Sequence, residues 1–151
     1  YRCDLTITLG DVAREVFFVN TGVPHAVIFM SEETVPVATW GRKVRFHELF
    51  GPEGTNVNFV WIQEDGSLRV RTYERGVEEE TMACGTGVVA SAIAATMKKQ
   101  RQAPLAVHTS GGDVLTVSFD YDQDTAKVTN VYQQGVARRV FAGQLTAEAL
   151  L

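Results

Sequence analysis

Cys84, His25 and the pair Glu74-Arg75 are the residues of this chain whose types and settings could do chemistry. Cys84 stands in Cys84-Gly85-Thr86-Gly87, directly before a run of small apolar residues. If that run is a helix, its free N–H groups and the positive end of its dipole favour an anion, so a thiolate is physically reasonable at Cys84. Gly85 and Gly87 carry no side-chain bulk, which lets a substrate come close to the main chain. Thr86 can cap the helix while leaving its own N–H available. The loop reads as a cradle for a carboxylate or an oxyanion. The same cysteine also fits a small buried hydrophobe under a tight turn.

Ten residues upstream, Tyr73-Glu74-Arg75-Gly76 closes a strand-like run with two opposite charges. A guanidinium can fork a carboxylate with two parallel hydrogen bonds, and a neighbouring carboxylate can receive an ammonium. Arg75 and Glu74 together therefore suit an amino-acid zwitterion. The alternative is a surface ion pair that closes a hairpin. His25 follows Asn20-Thr21-Gly22-Val23-Pro24 and opens an apolar run, where an imidazole could donate to a substrate, orient a neighbour, or serve as a satisfied core histidine. Asn56 and Asn58 lie on the same side of another run by period-two alternation, placed either to bind substrate or to close an Asx turn.

The elements that must position these groups are mostly strands. Short β-patterned runs cover residues 4–9, 15–20, 25–30, 56–63, 68–74, 106–109, 114–119, 126–131 and 139–142, with lengths and turn spacing that predict a mainly antiparallel β protein. Asp65-Gly66-Ser67 and Gly111-Gly112-Asp113 predict hairpin turns. Gly41–Phe50 predicts a short amphipathic helix with a solvated polar face, ending near Gly51-Pro52. Thr86–Gln102 is the one stretch that breaks the β pattern over a long span. Val88, Val89, Ala90, Ala92, Ile93, Ala94, Ala95 and Met97 make it apolar nearly all round, which predicts a helix enclosed by strands. Lys98, Lys99 and Arg101 at its end complement the negative pole of the dipole and put its N-terminus at the cysteine.

The chain has 151 residues, 45% hydrophobic and 21% charged, the balance of one ordinary globular domain. A net charge of −4 offers no footprint for nucleic acid or an acidic membrane, and no apolar run approaches the ~20 residues that span a bilayer. Neither nucleic acid nor a membrane is expected as a partner, and the cytoplasm is the expected compartment. Cys3 and Cys84 are too few and too far apart for a disulfide framework or a zinc ribbon. His25, His47 and His108 share no metal-ligand spacing with each other or with either cysteine, so no metal is expected. Neither a P-loop nor G-x-G-x-x-G occurs. Strand-like alternation begins almost at Tyr1, with no initiator Met, which leads to the expectation of a piece of a longer protein.

Gly22-Val23-Pro24-His25, Gly54-Thr55-Asn56-Val57-Asn58-Phe59-Val60, Tyr73-Glu74-Arg75-Gly76 and Glu80-Thr81-Met82-Ala83-Cys84-Gly85-Thr86-Gly87 resemble, in order and spacing, the C-terminal half of the diaminopimelate epimerase family. The last motif is the most specific of the four. The resemblance implies a mixed, mainly antiparallel α+β fold, a sheet wrapped barrel-like around a central helix, with residues 1–151 forming one half of a pseudo-symmetric two-domain protein. It also implies a cofactor-independent, PLP-independent isomerase of lysine biosynthesis that interconverts LL-2,6-diaminopimelate and the meso form in the cleft between the halves. Cys84 falls on the position of one catalytic cysteine of a pair; Asn56, Glu74, Arg75, Gly85 and Thr86 fall on substrate-binding positions, and His25 on an active-site position. The family usually carries Asn where this chain has Val23, which bears on one polar contact to the distal end of the substrate.

Inverting an α-carbon without a cofactor needs a base on one face and an acid on the other. Cys3, in Arg2-Cys3-Asp4, has no glycine cradle and no helix behind it, so the second cysteine is expected on an absent N-terminal half, and this chain is expected to be inactive alone. That half is one expected partner, the small-molecule substrate another, and a homodimer is compatible with the sequence. The competing reading keeps the fold and drops the chemistry: a half-domain that binds an amino acid or a partner without turnover. A proline-racemase-like or phenazine-biosynthesis-like isomerase is a sibling reading. A cysteine hydrolase would need a histidine within reach of Cys84.

Overall fold

A computed structural model describes residues 1–99 and 101–150. The strands are β1 (Arg2–Leu9), β2 (Val12–Asn20), β3 (Pro24–Phe29), β4 (Asn56–Ile62), β5 (Leu68–Tyr73), β6 (Glu80–Thr81), β7 (Leu105–Thr109), β8 (Val114–Asp122) and β9 (Lys127–Gln134). The helices are α1 (Val37–Arg45) and α2 (Gly85–Lys99), and single 3-10 turns span Glu48–Phe50 and Ala147–Leu150. All strands join one sheet in the order β1-β2-β3-β4-β5-β7-β8-β9, with β6 paired to β5.

Most neighbours are antiparallel, and both expected hairpins are present, β4 to β5 through Asp65-Gly66-Ser67 and β7 to β8 through Gly111-Gly112-Asp113. Two junctions are parallel, β3 with β4 and β5 with β7. A parallel pair needs a crossover, because the chain must return to the same end of the sheet before it pairs again. The first crossover contains α1, and the second contains β6 and α2.

The α+β architecture follows from how α2 is enclosed. It packs against β2, β3, β4, β5, β7, β8 and β9. Strands sit about 4.8 Å apart and a helix is about 10 Å across, so a flat sheet could not present so many strands to one helix; this sheet must curl around it. The curl is permitted by Gly87, Ala90, Ser91, Ala92, Ala94 and Ala95, all buried on α2. Ser91 keeps its hydroxyl satisfied inside this core by donating to the Gly87 carbonyl at 2.7 Å.

Alternation along the strands separates two cores. Phe17, Val27, Val60, Leu68 and Val70 point inward with Val88 and Ile93 of α2. Val16, Ile28, Val57, Phe59, Trp61 and Tyr73 point outward, where Val37 and Val44 of α1 cover them. Because β4 is covered on both faces, its only polar side chains, Asn56 and Asn58, are buried amides without charge.

Three sequence expectations require correction. The first helix begins four residues before Gly41 and ends at Arg45, with only a 3-10 turn continuing to Phe50. Gly41 does not open it. It lies mid-helix, where a Cβ would overlap Cβ and Cγ of Tyr73, so glycine marks the closest approach of α1 to the sheet. The helix expected over 86–102 stops at Lys99; Gln100 lies outside the described residues, and Arg101 and Gln102 are not helical. The run 139–142 forms no strand. Residues 135–146 have no regular structure, Val140 and Phe141 are 90% and 84% exposed, and no strand among the described residues pairs with this run.

Candidate active site

The inner face of the sheet changes character toward the N-terminus of α2. Val27, Val60 and Val70 form an apolar floor, and the next inward positions of the same strands are His25 on β3, Asn58 on β4 and Thr72 on β5. All three are buried, His25 and Asn58 completely. Register brings them together, since Asn58 lies opposite Val27 in the parallel pair and opposite Thr72 in the antiparallel one. A Cβ on Gly87 would overlap Asn58 Oδ1, so this polar layer lies directly against the first turn of α2.

That turn carries the cysteine. The Val88 N–H donates to the Cys84 carbonyl at 2.9 Å, which makes Cys84 the residue that begins the helical ladder. The N–H groups of Gly85, Thr86 and Gly87 therefore have no helical acceptor. Thr86 does not cap the helix, as its sequence position led one to expect. Its Oγ1 lies 3.0 Å from His25 Nε2 and 3.6 Å from Cys84 Sγ, while its carbonyl accepts from Thr21 Oγ1 at 3.0 Å. The imidazole in the apolar-looking strand and the thiol in the glycine loop are thus joined through one hydroxyl. Cys84 itself is half-buried.

Asn56, one rung further out, accepts from the Arg75 backbone N–H at 2.8 Å and donates to the Pro24 carbonyl at 3.0 Å. It ties the turn after β5 to the start of β3 rather than closing an Asx turn. The charge pair that closes the β5–β6 hairpin is Arg71 with Glu80, at 2.6 Å, and the guanidinium together with Ser110 holds the Glu80 carboxyl below its usual range. Among the described residues, the side chains of Glu74 and Arg75 have no ion-pair partner. A groove of about 430 Å³ runs along α2 from Gly85 and Thr86 past Val89 and Ile93 to Met97, with Thr21 and Gln133 beside its first turn. The thiol and the unpaired N–H groups together form a place where an anionic group could be held against a sulfur.

Cys3 is not part of it. Its carbonyl accepts from Lys98 near the other end of α2. At 1.5 Å per residue, the helix puts about 20 Å between the two cysteines. Burial pushes the Cys3 thiol up from its ordinary value, the opposite of what an acid/base thiol needs. Thr21 and Thr72 are the site residues that sequence reading missed, and Asn58 was seen there only as a strand amide. For Thr72 the available signal was period two, since it ends a strand whose other inward positions, Leu68 and Val70, are apolar; Thr21 lies in the bend after β2 and carries no such signal.

Burial, and after it the Arg75 guanidinium, lowers His25 to about 4. The folded value lies below the unfolded one, so the stabilisation is complete above about pH 6.5 and is lost as pH falls toward 4, where the unfolded chain binds the proton first. Taking the chain from about pH 7 to about pH 5 is expected to remove on the order of 2 kcal/mol from this group alone. Urea melts at the two pH values, alongside an NMR titration of His25, check this; an imidazole that titrates near its ordinary value contradicts it.

A family profile described as Diaminopimelate epimerase matches residues 17–140. The diaminopimelate epimerase of Aquifex aeolicus is 47% identical over 135 residues, covering 88% of this chain and 47% of the relative. That of Hydrogenobaculum sp. is 44% identical over 135 residues, covering 87% and 46%. This chain thus spans about half the length of the curated relatives it matches. Among solved structures, a hydroxyproline epimerase from Agrobacterium vitis superposes with a TM-score of 0.65 at 17% identity, over 89% of this chain and 49% of that one. A probable proline racemase from Agrobacterium radiobacter gives 0.61 at 16%, over 97% and 50%. These two likenesses concern the fold alone.

Proposed function

Because the chain belongs to the diaminopimelate epimerase family, we propose that it is the C-terminal half of an enzyme that interconverts LL-2,6-diaminopimelate and meso-diaminopimelate, with Cys84 as one of two acid/base cysteines. The observation that carries this reading is the placement of Cys84 Sγ at the start of α2, linked through Thr86 to a buried histidine. The α-carboxylate of the substrate would lie on the unpaired N–H groups of Gly85 and Thr86, which also stabilise the charge that builds on it as the α-proton leaves. Arg75 and Glu74, free of structural ion pairs among the described residues, suit a carboxylate and an ammonium of an amino acid.

In one direction the Cys84 thiolate takes the α-proton, the electron pair stays on the α-carbon and its carboxylate, and a thiol on the opposite face supplies the replacement proton. In the other direction the two sulfurs exchange roles. His25 and Asn56 complete the site, the first beside Thr86 and the second by holding the Arg75 turn. The second thiol has no candidate in this chain, since Cys3 lies at the far end of α2. It belongs to an N-terminal half, and this chain alone does not turn over substrate.

The test is α-proton exchange of LL-diaminopimelate in deuterated water, run with this chain and with this chain joined to the N-terminal half of a related diaminopimelate epimerase. Exchange with inversion only in the joined sample is expected. Absence of both, with folding and association verified, favours an amino-acid-binding half-domain without turnover.

A further inference from the structure

Thr72, Asn58, His25, Thr86 and Cys84 form one continuous line of hydrogen-bonding groups, and chemistry fixes the direction in which that line runs. The Thr72 hydroxyl donates to Asn58 Oδ1 at 3.0 Å. The Asn58 amide nitrogen faces the Ala26 carbonyl at 3.4 Å, an acceptor only, so the nitrogen and not the oxygen of the amide also meets His25 Nδ1, at 3.0 Å. Nδ1 must then accept. A buried imidazole held neutral carries its single proton on Nε2, and Nε2 donates to Thr86 Oγ1 at 3.0 Å. The Thr86 oxygen keeps a second lone pair, but its proton has no acceptor other than Cys84 Sγ, at 3.6 Å, among the described residues, so the hydroxyl is assigned as donor to the sulfur.

We propose that Asn58, held by Thr72, is a positioning residue that sets the tautomer of His25 and thereby makes Thr86 a donor to the sulfur of Cys84. The proposal rests on the reading of Cys84 as an acid/base thiol. The part of the line that sets the direction is closed to water: His25 and Asn58 are completely buried and Thr72 is 4% exposed, while Thr86 and Cys84 are half-buried. Gly87 is part of the arrangement, because a side chain there would push Asn58 off the imidazole. A donor aimed at Sγ favours the charged form of that sulfur, and an acceptor in its place would not.

The test reverses the line without changing its shape. In Asn58→Asp the carboxylate accepts from Nδ1 and raises the pH at which the ring loses its second proton; above that pH Nε2 becomes an acceptor and draws the Thr86 proton away from the sulfur. In the 151-residue chain, nitrogen NMR shifts report which ring nitrogen of His25 is protonated. Iodoacetamide labelling across pH, followed cysteine by cysteine by peptide mass spectrometry, reports Cys84. The parent chain is expected to show the Nε2 tautomer; Asn58→Asp is expected to show the Nδ1 tautomer, with Cys84 labelling at neutral pH reduced about tenfold and its profile displaced to higher pH. Should Asn58→Asp fail to fold, Thr86→Val is expected to give the same loss and Thr86→Ser to restore the parent profile. A parent proton on Nδ1, a reversed tautomer with unchanged labelling, or Thr86→Val labelling like the parent would overturn the proposal. No substrate enters these measurements, so their failure is separate from a failure of the exchange experiment.

Discussion

In the joined two-half protein, Cys84→Ala is expected to lower the rate of diaminopimelate inversion by at least about 10³-fold, within the range that general acid/base groups contribute. The loss should be the same in both directions, because in the proposed mechanism Sγ removes the proton in one and supplies it in the other. Cys84→Ser is expected to lose nearly as much, since a hydroxyl is a far weaker acid than a thiol. The loss should appear in kcat rather than KM, because the proposed carboxylate cradle consists of the N–H groups of Gly85 and Thr86 and not of the sulfur. Folding should be unaffected, the side chain being small and half-buried. Steady-state assays by proton exchange measure this directly. Inversion within about tenfold of the parent would remove Cys84 from the acid/base role.

The largest expected effect on stability lies far from the sulfur. Alanine in place of glycine inside a helix ordinarily stabilises by about 1 kcal/mol. Gly41→Ala is expected to do the reverse and cost about 3 kcal/mol, because its methyl group would overlap Cβ and Cγ of Tyr73, atoms fixed to the backbone of β5. Tyr73 is 2% exposed and cannot turn aside, so α1 must lift from the sheet and open the layer that contains Val37 and Val44. A chemical-denaturation midpoint at or above that of the parent chain would show that α1 docks less closely than described.

The same glycine shows where reading the sequence stops. Strands were legible because alternation of apolar and polar residues reports which side of a strand is covered, and α2 because small apolar residues all round describe enclosure. Gly41 looked like the start of a helix, since glycine within one is unfavourable on its own terms; the reason it stands there is Tyr73, which lies 32 positions later. The motif around Cys84 was legible because its residues are contiguous. The partners that give it direction were not, because His25 and Asn58 meet across 33 positions through a parallel pairing that no local pattern announces. Glu74 and Arg75 were weighed as a hairpin-closing pair, and the hairpin is instead closed by Arg71 and Glu80, one turn of alternation earlier and across the ladder. The run 139–142 has a strand's composition, and composition cannot say whether a neighbour exists.

That unladdered stretch has a consequence for the molecule in concentrated solution. Val136, Val140, Phe141 and Leu145 are all more than 70% exposed on a segment without regular structure, a combination from which intermolecular β-stacking can start. Arg138 and Arg139 stand in the middle of it. Copies stacked in register would bring those two cations into line with their own images, and the repulsion opposes a fibril where the apolar side chains would favour one.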